Sequence, residues 1–213
     1  MAWPLDLPGT PTGSRHDFQW ILRQSLRHRT IRLLSGMPVQ AIDFRLGPYH
    51  IDGAGFHAVA MAITTYHISV QGKDNIPGRE AWGAYADQID TIGIPTVTQI
   101  SHPTWLEAVL VHESVHALID LKGPRGGARS QNEAAAYIAT ALYLLSFDFP
   151  APKGAILDTA LKIADPLKAG MTVDKASEMR LRTVVATNMD IDVDEPSSDD
   201  GVRRQPQVTD FLS

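Results

Sequence analysis

Two histidines four residues apart, His112 and His116, can meet at one ligand only if the chain between them is helical. An α-helix stacks residues i and i+4 one turn apart on the same face. The run His112-Glu113-Ser114-Val115-His116 is an HExxH arrangement. Around it, Leu106, Val109, Leu110, Ala117 and Leu118 fall at helical spacing from Thr104 to Leu121. Pro103 stands at the entry, Thr104 or Ser101 is the expected cap, and Lys122-Gly123-Pro124 is the stop. A fold for this chain must therefore seat one helix with both imidazoles turned into a common cleft.

Two imidazoles are an incomplete metal site. A zinc site that activates water takes a third protein ligand and leaves one position open. Glu133 is the best candidate, seventeen residues after His116, in the expected first turn of a second helix capped by Gln131-Asn132. Ala134, Ala135, Ala136 and Ala139 are small enough to let that helix approach the first. Taken alone, Glu133 reads more plainly as an acid favoured by the helix dipole. Glu113, between the histidines, is spaced to take a proton from a water at such an ion, as amide hydrolysis requires.

These residues resemble the gluzincin group of zinc metallopeptidases, in which HExxH is followed by a helix bearing Asn-Glu. The matching residues are His112, Glu113, His116, Asn132 and Glu133. The resemblance implies that His112, His116 and Glu133 bind Zn2+, that Glu113 is the general base, and that Asn132 is a neighbour and not a ligand. It covers residues 85–145, less than half of the chain. It also implies that Tyr85 to Pro95 is an edge strand above the cleft, pairing with an extended peptide through main-chain hydrogen bonds. A plain core strand is the equal alternative.

The chain departs from the pattern at one position. Four residues after the third ligand, thermolysin-like enzymes carry an aspartate that orients a zinc histidine, and here the residue is Tyr137. Orientation must then come from elsewhere. Asp120 is one candidate, although an exposed acid near a helix end is the more ordinary reading. Tyr137, Tyr143 and His102 are candidate donors to the oxyanion of the reaction; a core tyrosine or a surface histidine is the ordinary reading of each.

Composition narrows the rest. At 213 residues and 44% hydrophobic, the chain can bury a core of one domain. A net charge of −5, with no basic stripe interleaved with aromatics, argues against a nucleic-acid partner. The lack of cysteine excludes disulfides, thiolate metal sites and a cysteine nucleophile, and leaves the compartment open. The start has neither the basic nor the apolar region of a secretory signal, and no apolar run reaches bilayer length. The expectation is a cytoplasmic protein, or one exported without a cleaved N-terminal signal.

Residues 1–15 read as a flexible start, 16–187 as one zincin-like domain and 188–213 as an acidic, disordered tail with a docking or solubilising role. The tail fails as a calcium loop, since Glu195 and Gly201 stand where an EF-hand needs Gly and Glu. His16 to Leu34 reads as an amphipathic helix with Phe18, Ile21, Leu22, Leu26 and Leu33 inside and its arginines outside. Residues 39–46, the β-favouring run Phe56 to Val70 and the segment Ile89 to Ile94 suggest one small sheet. His50, His57 and His67 read as histidines on its face, without a carboxylate at tight spacing. Glu133 to Leu145, Gly154 to Ala164 and Thr172 to Thr187, capped by Thr172, read as helices. The loop from Lys122 to Arg129 lacks the order that cradles phosphates and reads as a flexible connection, with Arg125 and Arg129 as candidate contacts for a substrate carboxylate.

The expected architecture is α+β and zincin-like: a small N-terminal sheet, the active-site helix, and a C-terminal helical half supplying Glu133. The expected activity is zinc-dependent hydrolysis of a peptide or protein substrate. A delivered toxin or effector protease with one target, and a catalytically inactive zincin-fold binding protein, stay open.

Overall fold

The computed structural model describes residues 15–72, 83–94, 102–123 and 127–194. In chain order these form α1 (Arg15–Leu34), α2 (Met37–Gln40), β1 (Asp43–Leu46), β2 (Tyr49–Asp52), α3 (Gly53–Thr64), β3 (Ser69–Gly72), β4 (Ala84–Ala86), a 3-10 turn (Asp87–Ile89), β5 (Thr91–Ile94), α4 (Pro103–Lys122), α5 (Arg129–Leu145), α6 (Ala155–Ala164), β6 (Met171–Thr172) and α7 (Lys175–Met189). The mixture is α+β. Of the flexible start expected over 1–15, Arg15 already opens α1 and the rest lies outside the described residues, as do the acidic stretch from Glu195 onward, Pro95, Ser101, Pro124 and Arg125.

The expected single sheet is two small ones, ordered β2-β1-β6 and β3-β5-β4. In the first, β1 pairs antiparallel with β2 and parallel with β6, so a strand from the C-terminal half completes it. Thr172, the expected helix cap, lies in that strand; the cap of α7 is Asp174, whose carboxylate accepts from Ala176 N and Ser177 N at 3.0 Å each. In the second sheet, the expected strand from Tyr85 to Pro95 breaks into a hairpin that turns at Asp90, where φ is +48°. β5 is its buried central strand, and β3 and β4 flank it as the two outer strands among the described residues.

The run from Phe56 to Val70 departs most from its β-favouring composition. It is helix α3 as far as Thr64, and only its end enters β3. Phe56, Val59, Ala60 and Ile63 are all buried, at i, i+3, i+4 and i+7, which is a helical stripe. Asp52 starts the helix by accepting from Gly55 N at 2.7 Å. Arg27 of α1, expected outside, ends it by donating to Ile63 O at 3.2 Å and Thr64 O at 2.7 Å. Arg29, likewise, is drawn into an ion pair with Glu107 of α4 at 3.0 Å.

At the centre lies α4. Its buried residues run from Leu106 to Asp120 on nearly every side, because α1, α3, α5 and both sheets pack around it. His102 caps it, accepting from Thr104 N at 3.2 Å, and Gly123 at φ +56° ends it in the left-handed conformation that glycine adopts without strain. Against it lies α5, whose Ala134, Ala135, Ala136 and Ala139 are fully buried at the contact. Among the described residues no helix is long and apolar enough to cross a membrane.

The chain stays packed beyond residue 187, where the tail was expected to begin. Ile191 N donates to Ala186 O at 3.1 Å. The buried Arg182 donates to Val193 O at 2.8 Å, to Asp194 Oδ1 at 2.7 Å and to Ser130 Oγ at 3.0 Å. Ser130 itself donates to Val193 O, and Gln131 donates to Glu178 Oε1. The segment before Glu195 thus straps α7 to the first turn of α5, the helix that carries Glu133.

Candidate metal centre

Helix α5 begins at Arg129, earlier than the sequence suggested, with Ala128 as a cap that offers no side-chain hydrogen bond. Gln131 and Asn132 are therefore within the helix and not its caps, and Glu133 lies in its second turn. That register carries Glu133 across the α4–α5 contact to both histidines. Glu133 Oε2 lies 3.4 Å from His112 Nε2 and 3.7 Å from His116 Nε2.

His112, His116 and Glu133 form a group that could hold a metal ion. Ligand bonds of 2.0–2.1 Å in a tetrahedron put donor atoms about 3.4 Å apart, close to the separations found here. All three donor atoms lie within 4.8 Å of one another, and both separations from Glu133 suit such an ion. Each imidazole also has a partner behind it. His116 Nδ1 lies 2.9 Å from Asn132 Oδ1, so the amide oxygen accepts the Nδ1 proton and leaves the Nε2 lone pair facing the site. His112 Nδ1 lies 3.4 Å from Thr140 Oγ1, a hydroxyl that spends its own proton on Ala136 O at 2.8 Å. Asn132 thus lies beside His116, a member of the group that could hold the ion.

The three groups stabilise one another's charge. Burial alone would raise the Glu133 pKa, but His116, His112 and Arg129 outweigh it and hold the carboxyl down at about 2. Burial alone would lower the His112 pKa, yet the hydrogen bond to Glu133 and the charges of Glu113 and Glu133 raise it. Glu113 is buried and close enough to act on both His112 and Tyr137. Against it lies Gly83, at the entry to β4. A Cβ there would meet Glu113 Oε1 at 2.6 Å.

Tyr137 packs edge-on to His112, with ring centroids 4.6 Å apart and planes at 75°. The other two candidate donors are occupied elsewhere. Tyr143 donates to Glu107 Oε2 at 2.8 Å, and burial with that carboxylate pushes its pKa up; His102 is the cap of α4 and packs on Phe149. Asp120 is buried, not exposed. It accepts from Tyr85 Oη at 2.7 Å, tying α4 to the β4–β5 hairpin.

The remaining histidines are dispersed. His57 is exposed on α3 and His67 lies in the turn after it, so only His50 is on a sheet. His50 does have carboxylates at tight spacing: Nε2 is 2.8 Å from Asp43 and Nδ1 is 3.4 Å from Asp52. They engage opposite ring nitrogens, and no metal-holding group forms there among the described residues. Arg129 opens α5 instead of belonging to the loop, and its charge acts on Glu133.

Sequence reasoning missed Thr140 and Gly83. Thr140 was detectable, being seven residues after Glu133 and so on its helix face. Gly83 carried no local signal, since its contact with Glu113 spans the fold. Compared with protein-family models, curated proteins and solved structures, the chain finds no match in any of the three.

Proposed function

We propose that this chain is a zinc-dependent peptide-bond hydrolase built on a zincin-like α+β domain. The observation that carries the reading is the convergence of His112, His116 and Glu133 from two helices, with Glu113 beside them. Two imidazole nitrogens and one carboxylate suit zinc, whereas calcium and magnesium favour all-oxygen sets. A zinc ion bound there supplies Lewis acidity and makes water a nucleophile at neutral pH.

Glu113 takes the proton of the attacking water and returns it to the departing amine as the C–N bond breaks. Asn132 and Thr140 hold the imidazoles in the tautomer that presents Nε2. Strand β4, one of the two outer strands of its sheet among the described residues, begins beside Glu113 at Gly83, a placement that favours an extended peptide as substrate.

The test is elemental mass spectrometry of the purified protein alongside hydrolysis of a mixed peptide pool. The wild type should carry about one zinc per chain. Glu113→Gln should keep the metal and lose hydrolysis, and Glu133→Ala should lose both. No zinc after reconstitution, or full hydrolysis by Glu113→Gln, would overturn the reading. Cleavage of one protein target but not of the pool would favour the effector alternative; zinc without hydrolysis of anything would favour the binding module.

A further inference from the structure

We infer that the Tyr137 hydroxyl is the hydrogen-bond donor to the oxyanion that forms when water adds to the scissile carbonyl. This rests on the peptidase reading. In that step the water oxygen bonds to the carbonyl carbon, the C=O π pair moves onto the carbonyl oxygen, and Glu113 receives the water proton. Tyr137 keeps its proton and donates a hydrogen bond to the new charge.

Four observations support the assignment. Tyr137 is one turn after Glu133 on α5, and helical side chains lean toward the N-terminus, so its ring leans over the turn that carries the ligand. Its edge contact with His112 fixes the ring at the metal centre. The orienting work is done by Asn132 and Thr140, which leaves position 137 without that task. Finally, among the described residues the Tyr137 hydroxyl forms no hydrogen bond, while those of Tyr85 and Tyr143 are engaged by carboxylates.

The experiment uses Tyr137→Phe, which keeps the ring and its packing and removes only the hydroxyl. Both proteins are loaded with Co2+, and inorganic phosphate, a tetrahedral anion, is titrated against the visible spectrum of the metal. The variant should bind the metal equally and hold phosphate about tenfold or more weakly, the loss expected for one hydrogen bond to a charged group. In peptide hydrolysis, kcat should fall about a hundredfold with KM little changed.

Equal phosphate affinity in the two loaded proteins would overturn the assignment. Failure of the wild type to bind metal would overturn the metal centre and this inference together. Weakened phosphate binding in a protein that hydrolyses no peptide would support Tyr137 as the anion donor while refuting the peptidase reading.

Discussion

Replacing Gly83 with alanine probes the site through packing alone. The added methyl would lie 2.6 Å from Glu113 Oε1, 2.9 Å from Glu113 Cγ and 2.7 Å from Val109 Cγ1. Ordinary contact begins at 3.4 Å, so about 0.8 Å must be recovered. Val109 belongs to the buried central helix and yields little. The movement therefore falls on the Glu113 side chain, whose carboxylate end is the flexible partner in the contact, and shifts the proposed base from its place. A displacement near 1 Å reduces turnover about a hundredfold, equivalent to about 2.7 kcal/mol on the barrier.

Overpacking also destabilises the fold, by about 1 kcal/mol here, the low end of its range, because a carboxylate terminus can swing aside. The assay is zinc content, thermal unfolding and steady-state hydrolysis of the same peptide. Gly83→Ala should keep its zinc, unfold slightly earlier and lose kcat. In a Glu113→Asp background, where the carboxylate is withdrawn by one methylene, the same change should cost much less. A folded, zinc-loaded Gly83→Ala protein with kcat within about twofold of wild type would refute the placement of Glu113 as base.

Three further outcomes are expected. Asn132→Ala removes the acceptor behind His116 and should weaken zinc binding by about ten- to a hundredfold in a chelator competition; equal affinity would mean that this contact does not orient the ligand. Asp52 caps α3 with a pKa that burial would raise but that Gly55 N–H, Lys122 and His50 together hold below normal. Its contribution is present above the ordinary aspartate value and is lost as pH falls through the lowered one. Asp52→Ala should therefore cost about 1 kcal/mol in denaturant unfolding at pH 7, and the gap to wild type should close below about pH 4. Among the described residues Ser114 Oγ is buried without a hydrogen-bond partner, so Ser114→Ala should gain about 1 kcal/mol in denaturant unfolding, and a less stable variant would refute that account of the hydroxyl.

Much of the site was legible because its information is local. HExxH prescribes a helix and a spacing, and the alanines of α5 announce a close helix contact. Thr140 could have been found on the same face. What misled was context. The valines, isoleucines and threonines of residues 56–70 favour strands on average, yet Phe56, Val59, Ala60 and Ile63 trace a helical stripe that the Asp52 cap and Arg27 hold in place. Asp120 read as an exposed acid because nothing nearby in the chain names Tyr85 as its partner.

By itself, then, the sequence determined the helix that presents His112 and His116, the small-residue face that admits its neighbour, and the kinds of donor atom available. Helical periodicity and side-chain size are properties of a few consecutive residues, so they can be read one segment at a time. Only the tertiary structure decided that β6 crosses back to pair with β1, that the strap before Glu195 pins the first turn of α5, and that Gly83 abuts Glu113. It also decided the register of α5, which sends Asn132 to His116 and Glu133 to both histidines. Those outcomes depend on contacts between residues dozens of positions apart, which many parts of the chain settle jointly as the core closes.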